Sequence, residues 1–195
     1  MWVEPVTLTG KHIRLEPLRE AHTDDLTAVG LEPSLWRYIP QAAIESAEQM
    51  AGWVRQQVAK NVSGVERVFA VIHLESGKAI GSTRYMDIRP EHRGLEIGGT
   101  WYGVAYQRTA VNTEAKYLLL RHAFETLGCI RVQLKTDLRN ERSQTAIARL
   151  GAVREGVLRN HVIMSDGYRR ASVFFSILDD EWPEVKRRLE TWLAR

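Results

Sequence analysis

A strand, a turn and a helix in immediate succession constrain the fold of this chain more than any other feature. Residues 95–102 have strand character, and residues 117–127 form an apolar run with helical periodicity. The turn between them predicts that the helix begins near Asn112 or Thr113. A strand that leads directly into a buried helix is typical of a β-α-β unit inside a larger sheet.

The turn at residues 106–116 is also a candidate phosphate site. Backbone N–H groups in the first turn of a helix have no intrahelical partner, and the helix dipole places partial positive charge there. Phosphate groups bind at such helix ends. Arg108 adds a full positive charge beside this one. The turn therefore predicts a seat for a phosphorylated cofactor.

The composition indicates one soluble globular domain that spans residues 1–195. The chain has 195 residues, of which 44% are hydrophobic and 26% charged. A net charge of +3 that is spread along the chain gives no reason to expect nucleic acid as a partner. Because Cys129 is the single cysteine, an intrachain disulfide is excluded, and its place at the start of an apolar strand predicts a buried structural thiol. The chain has no signal-like segment and no apolar run near ~20 residues, so we expect a cytoplasmic protein without a membrane partner.

Periodicity along the chain predicts a mixed, mostly antiparallel sheet. The predicted strands are residues 12–18, 67–74, 79–88, 95–102, 130–136, 153–164 and 168–178. The predicted helices are residues 19–29, 46–62, a helix from about 112 to 127, 142–150 and 180–193. Gly98-Gly99 inside a strand predicts a β-bulge or a close approach by another group. The fold class is α/β (α+β), with helices on both faces and one central β-α-β unit.

Absent motifs remove several classes of function. The six histidines show no paired H-x-x-x-H spacing and there is no second cysteine, so no metal site is predicted. Neither a G-x-S-x-G elbow, a P-loop nor a dinucleotide-binding glycine pattern follows a strand. Most hydrolases, nucleoside triphosphatases and dehydrogenases are thereby excluded.

The segment at residues 136–143 joins a strand to a helix and carries an amide and a hydroxyl. Asn140 can cap the helix, with Ser143 at the third helical position. One interpretation is a helix start and nothing more. The other is an amide that binds a ligand along the strand end, with a hydroxyl one turn away.

Taken together, these pieces resemble the GNAT superfamily of acetyl-CoA-dependent N-acetyltransferases, in the RimJ- and RimL-like branch of ribosomal-protein N-terminal acetyltransferases. The similar runs are T-E-A at 113–115, L-G-C-I-R-V at 127–132, N-E-R-S at 140–143, R-L-G-A-V-R-E-G-V-L-R at 149–159 and S-D-G-Y to S-I-L at 165–178. The match extends from about residue 15 onward and is strongest between residues 106 and 178.

The resemblance implies that the sheet splays apart between the strands at 95–102 and 130–136, and that the pantetheine arm of acetyl-CoA lies in the split. The residues that it assigns to cofactor binding are Trp101, Tyr102, Gln107, Arg108, Thr109, Ala110, Val111, Asn112, Thr113, Asn140 and Ser143. The family turn usually reads Q/R-x-x-G-x-G/A. Here Ala110 and Asn112 replace the glycines, and glycine is the residue that most readily adopts left-handed backbone.

The resemblance also suggests catalytic roles. Ser143 is the predicted general acid for the leaving thiolate, with a solvent-facing hydroxyl as the alternative. Glu96 is the predicted general base, although a salt bridge to a neighbouring strand is the favoured explanation of that residue. Glu155 and Tyr102 are weaker candidates for the base.

Substrate positioning has its own candidates. Backbone N–H groups near 99–101 are predicted to stabilise the oxyanion. Trp101 and Tyr102 either line an acceptor pocket or belong to the core. The loops at 30–45 and 159–168 are the predicted walls of that pocket.

The leading hypothesis is an acetyl-CoA-dependent N-acetyltransferase that acts on a primary amine, by direct attack on the thioester. The amine is either a peptide N-terminus or a small molecule. The alternative is a non-catalytic acyl-CoA-binding or protein-interaction module on the same fold. The long last strand is suited to pairing in a homodimer.

Overall fold

The computed structural model describes residues 2–194, which form one mixed sheet flanked by helices. The strands β1 to β8 are Leu8–Thr9, Ile13–Pro17, Arg67–His73, Lys78–Arg89, Gly94–Tyr102, Arg131–Asp137, Val153–Ile163 and Arg169–Leu178. The helices α1 to α5 are Thr23–Gly30, Ala47–Ser63, Ala110–Arg121, Glu141–Ala148 and Trp182–Leu193.

The sheet runs in the order β1-β2-β3-β4-β5-β6-β8-β7, and every neighbouring pair is antiparallel except β5 and β6. The predicted mixed, mostly antiparallel sheet is therefore confirmed. The parallel pair joins Gly94–Glu96 to Arg131–Gln133 and stops there, although both strands continue. We call the gap between the unpaired ends of β5 and β6 the split.

Strand alternation divides the core between the two faces of the sheet. Phe69 and Val71 on β3 pack with α3 and α5, whereas Val68 and Ala70 pack with α1 and α2. Successive side chains on a strand point to opposite faces, so a continuous apolar strand serves both layers. The predicted helices on both faces are confirmed.

Helix α3 begins at Ala110, two residues before the predicted start. The Thr109 hydroxyl accepts a hydrogen bond from the Val111 N–H at 3.3 Å and so caps the helix earlier. Gly128, predicted to end the helix, has a φ of +64° after a π-helical turn at His122–Thr126. The predicted start of α3 was based on apolar periodicity, which carries no information about the N-cap at Thr109.

The glycine pair in β5 forms the predicted bulge. The β4–β5 register shifts between Ser82 and Arg84, opposite Gly99, whose φ is +56°. A Cβ on Gly99 would lie 2.3 Å from Arg84 Nε, so both backbone conformation and space require glycine.

Cys129 is buried, as predicted. Burial raises the pKa of its thiol to about 12. The thiolate is therefore scarce at neutral pH, and the residue serves packing.

The buried Glu114 carboxylate ties α3 to the turn between β1 and β2. Its Oε1 accepts the N–H of Lys11 at 2.6 Å, and its Oε2 accepts those of His12 and Ile13, both at 2.8 Å. Gly10 lies so close that a Cβ there would be 2.4 Å from Glu114 Cδ. Glu114, which the sequence shows only as part of the T-E-A run, is thus a structural link.

Replacing Glu114 by alanine should lower the free energy of unfolding by about 3 kcal/mol, since three backbone N–H groups lose a charged acceptor. Urea denaturation of the variant measures this loss. Glu114→Gln keeps one acceptor oxygen and should fall between the two. Equal stability of Glu114→Ala and the parent chain would contradict the assigned role.

Candidate functional site

The site is built where β5 and β6 stop pairing. Beyond Glu96 the remaining backbone of β5, up to Tyr102, has no strand partner on the β6 side. β5 then leads through a short turn into α3. An unpaired strand edge that ends at a helix N-terminus offers backbone donors and acceptors along its length and positive potential at its end.

Glu96 lies at the point where pairing ends. It is 1% exposed, and its Oε2 accepts hydrogen bonds from Gln133 Nε2 and Lys135 Nζ, both at 2.9 Å. Both partners are on β6, so the favoured salt bridge to a neighbouring strand is present. The ion pair between Lys135 of β6 and Glu96 of β5 lies beside the split. The Lys135 ammonium balances the charge of the buried Glu96 carboxylate.

The bulge brings a second polar group near the split, on the α3 side of the sheet. Lys116 of α3 donates from Nζ to Thr100 Oγ1 at 2.8 Å, and the Thr100 hydroxyl also bonds Thr83 Oγ1 at 2.8 Å. Lys116 is 6% exposed, and no carboxylate of residues 2–194 lies within ion-pair distance of it. Burial alone lowers its pKa to about 7.

The Trp101 indole lies on the other face of the sheet. It packs against Trp36 and Trp53, with ring centroids 5.0 and 5.8 Å away. The Trp101 side chain therefore belongs to the core between the sheet and the helices α1 and α2, which is the second of the two predicted interpretations of this residue. A cofactor role for Trp101 stays a prediction for its backbone only.

Tyr102 is buried on the α3 side, and its hydroxyl donates to Asn112 Oδ1 at 3.3 Å. Burial raises the pKa of this phenol well above its ordinary value, so it remains protonated. Tyr102 is thus unsuited to act as a general base. Glu155 is unsuited for another reason, because the Arg131 guanidinium binds its carboxylate at both oxygens and lowers its pKa.

The turn before α3 has a left-handed residue outside the two positions where the family glycines are replaced. Arg108 has a φ of +62°, whereas Ala110 and Asn112 lie within the right-handed helix. The two replacements therefore cost nothing in backbone conformation and add only side-chain volume. Arg108 is exposed, so its guanidinium is available to a ligand.

The first turn of α3 leaves the N–H groups of residues 109–112 without intrahelical acceptors. The Thr109 hydroxyl takes one of them, that of Val111. Thr113 lies one position deeper, and its hydroxyl accepts a hydrogen bond from Arg149 Nη2 at 2.8 Å. The N–H groups of residues 109, 110 and 112 are therefore the ones left for an anion.

The side chains of this turn have separate roles. Gln107 Nε2 donates to the Tyr102 carbonyl at 3.1 Å and so holds the end of β5. Val111 points into the core and is 4% exposed. Of the residues of this turn assigned to cofactor binding, Arg108, Thr109 and Ala110 are exposed and Gln107 and Asn112 are half-buried, whereas Val111 and Thr113 are buried.

Asn140 is the N-cap of α4, as the structural interpretation predicts. Its Oδ1 accepts the Ser143 N–H at 3.0 Å. The half-buried Ser143 hydroxyl has no hydrogen-bond partner among residues 2–194. This hydroxyl is therefore available to a ligand, while the Asn140 oxygen is already used.

The two predicted acceptor loops meet. Ser165 Oγ donates to the Gln41 carbonyl at 3.2 Å, and Arg170 Nη1 donates to the Tyr38 carbonyl at 3.1 Å. The Arg139 guanidinium lies 3.5 Å from the centroid of the Tyr168 ring. Residues 37–41 and 165–170 thus form a wall near the end of β6.

Prediction from the sequence missed Gln133, Lys135 and Lys116. A signal for the first two was present, because β6 alternates apolar and polar residues and its polar positions share one face with Glu96. No local pattern marks Lys116, which sits within an otherwise buried helix face. Among the described residues, no group of three or more histidine, cysteine or acidic side chains could hold a metal ion, and no helix is long and apolar enough to cross a membrane.

Comparison with known proteins identifies the family. The model of the acetyltransferase (GNAT) domain matches residues 12–153. YdaF of Bacillus subtilis, named provisionally as a ribosomal N-acetyltransferase, is 28% identical over 134 residues, which cover 69% of each chain.

Solved structures show the same fold. A GCN5-related N-acetyltransferase from Brucella melitensis is 29% identical, with a TM-score of 0.92 over 99% of this chain and 87% of that one. Mycobacterium smegmatis RimJ, solved in complex with CoA-disulfide, has a TM-score of 0.82 over 96% of this chain and 94% of that one. At 19% identity the second likeness shows the fold alone.

Proposed function

The chain belongs to the GNAT acetyltransferase family and is an N-acetyltransferase, and we propose that it moves an acetyl group from acetyl-CoA to a primary amine by direct attack of the amine on the thioester. The observation that carries the proposal is the split, in which an unpaired length of β5 leads to the exposed N-terminus of α3. A long ligand with amides in its middle and phosphates at one end matches that arrangement.

The residues present fit acetyl-CoA. N–H groups of the first turn of α3 and the Arg108 guanidinium would hold the pyrophosphate, and the free edge of β5 would bond the pantetheine amides. Backbone N–H groups at the bulge, near residues 99–101, would donate to the acyl carbonyl oxygen. The bound thioester supplies an activated acyl group. That M. smegmatis RimJ was solved with CoA-disulfide supports this choice of donor.

Glu96 is the proposed general base. It is the carboxylate at the end of the paired segment, and Lys135 and Gln133 fix it through Oε2. The other oxygen points towards Gly98, since a Cβ there would lie 2.9 Å from Glu96 Oε1. Glu96 would accept the proton of the attacking amine, directly or through water.

Ser143 is the proposed general acid. Its hydroxyl is partly exposed at the first turn of α4 and has no partner among the described residues. A thiolate leaves more easily when a donor is within reach, because the free thiol has a pKa of about 8.5 in cysteine-like compounds. Ser143 would supply that donor from the face that carries α3 and α4.

The acceptor is proposed to be a peptide N-terminus, with a small-molecule amine as the other candidate. The name of YdaF, a ribosomal N-acetyltransferase, supports a protein substrate. The meeting of the loops at 37–41 and 165–170 beside the split supports an acceptor site on the face opposite α3. The cytoplasmic setting and the homodimer stay predictions.

Calorimetric titration with acetyl-CoA tests the donor assignment, and we expect saturable binding at a ratio of one ligand per chain. Absence of binding at millimolar ligand would contradict it. Binding without thiol release across a broad amine panel would instead favour the non-catalytic acyl-CoA-binding module.

Replacing Arg108 by alanine should weaken acetyl-CoA binding about threefold to thirtyfold, because an exposed guanidinium loses its contact with phosphate. The loss should shrink at high salt, which screens exposed charges. Arg142→Ala, an exposed arginine on α4, is the matched control and should leave affinity unchanged. If the two variants bind alike, the pyrophosphate does not lie against Arg108.

A further inference from the structure

A cluster of polar and aromatic side chains covers the sheet beside the split, on the face opposite α3. The Lys135 ammonium lies 6.0 Å from the centroid of the Phe174 ring, and His161 packs edge to face on the same ring at 5.2 Å. Ser172 Oγ accepts from Arg170 Nε at 3.0 Å and hydrogen-bonds His161 Nδ1 at 3.0 Å. These contacts form a continuous path from the Glu96–Lys135 pair to Arg170.

Arg170 is the cation of this cluster that lacks a carboxylate. Lys135 is paired with Glu96, and Arg139 is paired with Asp137 at 2.8 Å. Arg170 contacts only the Ser172 hydroxyl and the Tyr38 carbonyl, and no carboxylate of residues 2–194 lies within ion-pair distance of it. The residue is 4% exposed, and the Asp137 and Glu96 carboxylates act on its charge from beyond ion-pair distance, so that neither binds the guanidinium directly.

The guanidinium also has a nitrogen without a protein partner. Nε and Nη1 are bonded, whereas Nη2 has no partner among the described residues. Unlike the indole Nε1 of Trp101, which is sealed from solvent, Arg170 Nη2 is not fully enclosed. A guanidinium binds carboxylate oxygens in a planar fork, and a buried arginine with unused donors is suited to that geometry.

We propose that the acceptor amine carries a carboxylate and that Arg170 binds it, so that the amine is placed beside Glu96. This inference rests on the proposed function and deepens it. The acceptor class is then an amine with an acidic group close by, either a free amino acid or a peptide whose first residues include aspartate or glutamate. Polycationic amines are disfavoured by the Arg170 charge.

His161 does not change this charge pattern at neutral pH. Burial, together with the Lys135 and Arg170 cations, lowers the pKa of the imidazole, and Glu96 opposes the shift only in part. The neutral ring therefore serves as a hydrogen-bonding wall. It leaves Arg170 as the group that selects the charge of the acceptor.

The test compares kcat/KM at saturating acetyl-CoA for acceptors that differ in one charge. One arm uses free amino acids against their carboxamides, and the other uses peptides with aspartate, asparagine or lysine at the second position. We expect the anionic member of one arm to be favoured about 10- to 100-fold, the range for a hydrogen-bonded charge pair. The arm that shows the preference identifies which carboxylate is bound.

Variants of Arg170 separate recognition from folding. Arg170→Gln should remove the preference, and Arg170→Lys should keep part of it, since the charge remains without the fork. Arg154→Gln changes an exposed arginine of β7 that is not part of the wall at residues 37–41 and 165–170 and should keep the full preference. Acetyl-CoA titration of each variant shows that the fold and donor site persist.

Three results would overturn the inference. They are preference for the neutral or cationic acceptor, an unchanged preference in Arg170→Gln, and acetyl-CoA binding with no anionic amine acetylated. Each of these leaves the proposed donor intact. Failure to bind acetyl-CoA, in contrast, would overturn the proposed function itself.

Discussion

Replacing Glu96 by glutamine should lower kcat about 10²- to 10⁴-fold at saturating acetyl-CoA and acceptor, the usual contribution of a general base. Glutamine has nearly the same shape, and its oxygen can still accept from Gln133 and Lys135. The substitution thus removes proton-accepting capacity with little change in packing. Steady-state kinetics with thiol detection measures the loss.

Lys135→Met is the matched control, since it breaks the ion pair and leaves the carboxylate. If Glu96 is the base, this variant retains far more activity than Glu96→Gln. If both variants lose activity equally, the ion pair rather than the base is what the site requires. A Glu96→Gln variant with unchanged kcat, where chemistry limits the rate, would exclude Glu96 as the base.

Replacing Lys116 by methionine should stabilise the folded chain by on the order of 4 kcal/mol at pH 7, since one unit of pKa shift corresponds to about 1.4 kcal/mol. The parent chain buries an amine that has only the Thr100 hydroxyl as a side-chain partner among the described residues. Methionine fills similar volume without a charge to desolvate. Urea denaturation across pH measures the gain.

The pH dependence of this gain follows from the direction of the pKa shift. Burial lowers the pKa of Lys116 from 10.5 to about 7, so between these values the unfolded chain binds more protons than the folded one. The stability of the parent chain therefore falls as the pH decreases through this window. The advantage of Lys116→Met should be largest near pH 7 and below, and should vanish above about pH 10.5.

Lys11→Met, which replaces an exposed lysine, is the control and should show no such trend. A Lys116→Met variant that is less stable than the parent chain at pH 7 would show that the ammonium has a compensating interaction. The difference in stability between the variant and the parent chain would then not follow the pH dependence expected from the lowered pKa of Lys116.

Local patterns in the sequence were sufficient to predict most of the strands and helices of the fold. Strand alternation placed seven of the eight strands, because half-buried strands repeat every two residues. β1 was missed because two residues carry too little periodicity. The sequence predicted either a bulge or a close approach at Gly98-Gly99, because glycine inside a strand marks one of these, and Gly99 shows both.

The candidate site was less predictable, because its contacts join residues far apart in the chain. Lys135 meets Glu96 only once β6 lies parallel to β5, and Arg170 of β8 meets the Tyr38 carbonyl only once the loop at 37–41 folds against it. No pattern in the sequence marked Arg108 as the left-handed residue of the turn before α3. Side-chain pairing across strands is set by register, which no short motif encodes.

The short parallel pairing of β5 with β6 has a mechanical consequence. Within the described residues, backbone pairing joins a block of five strands to a block of three along only Gly94–Glu96 and Arg131–Gln133. The sheet thus consists of two parts that are joined by a short paired segment, and the packing of α3 against α5 spans the same junction. Under the proposed function, acetyl-CoA lies between these two parts, along the unpaired edge of β5. Bound acetyl-CoA would then set the angle between the two parts, so the shape of the acceptor site depends on whether the donor is bound.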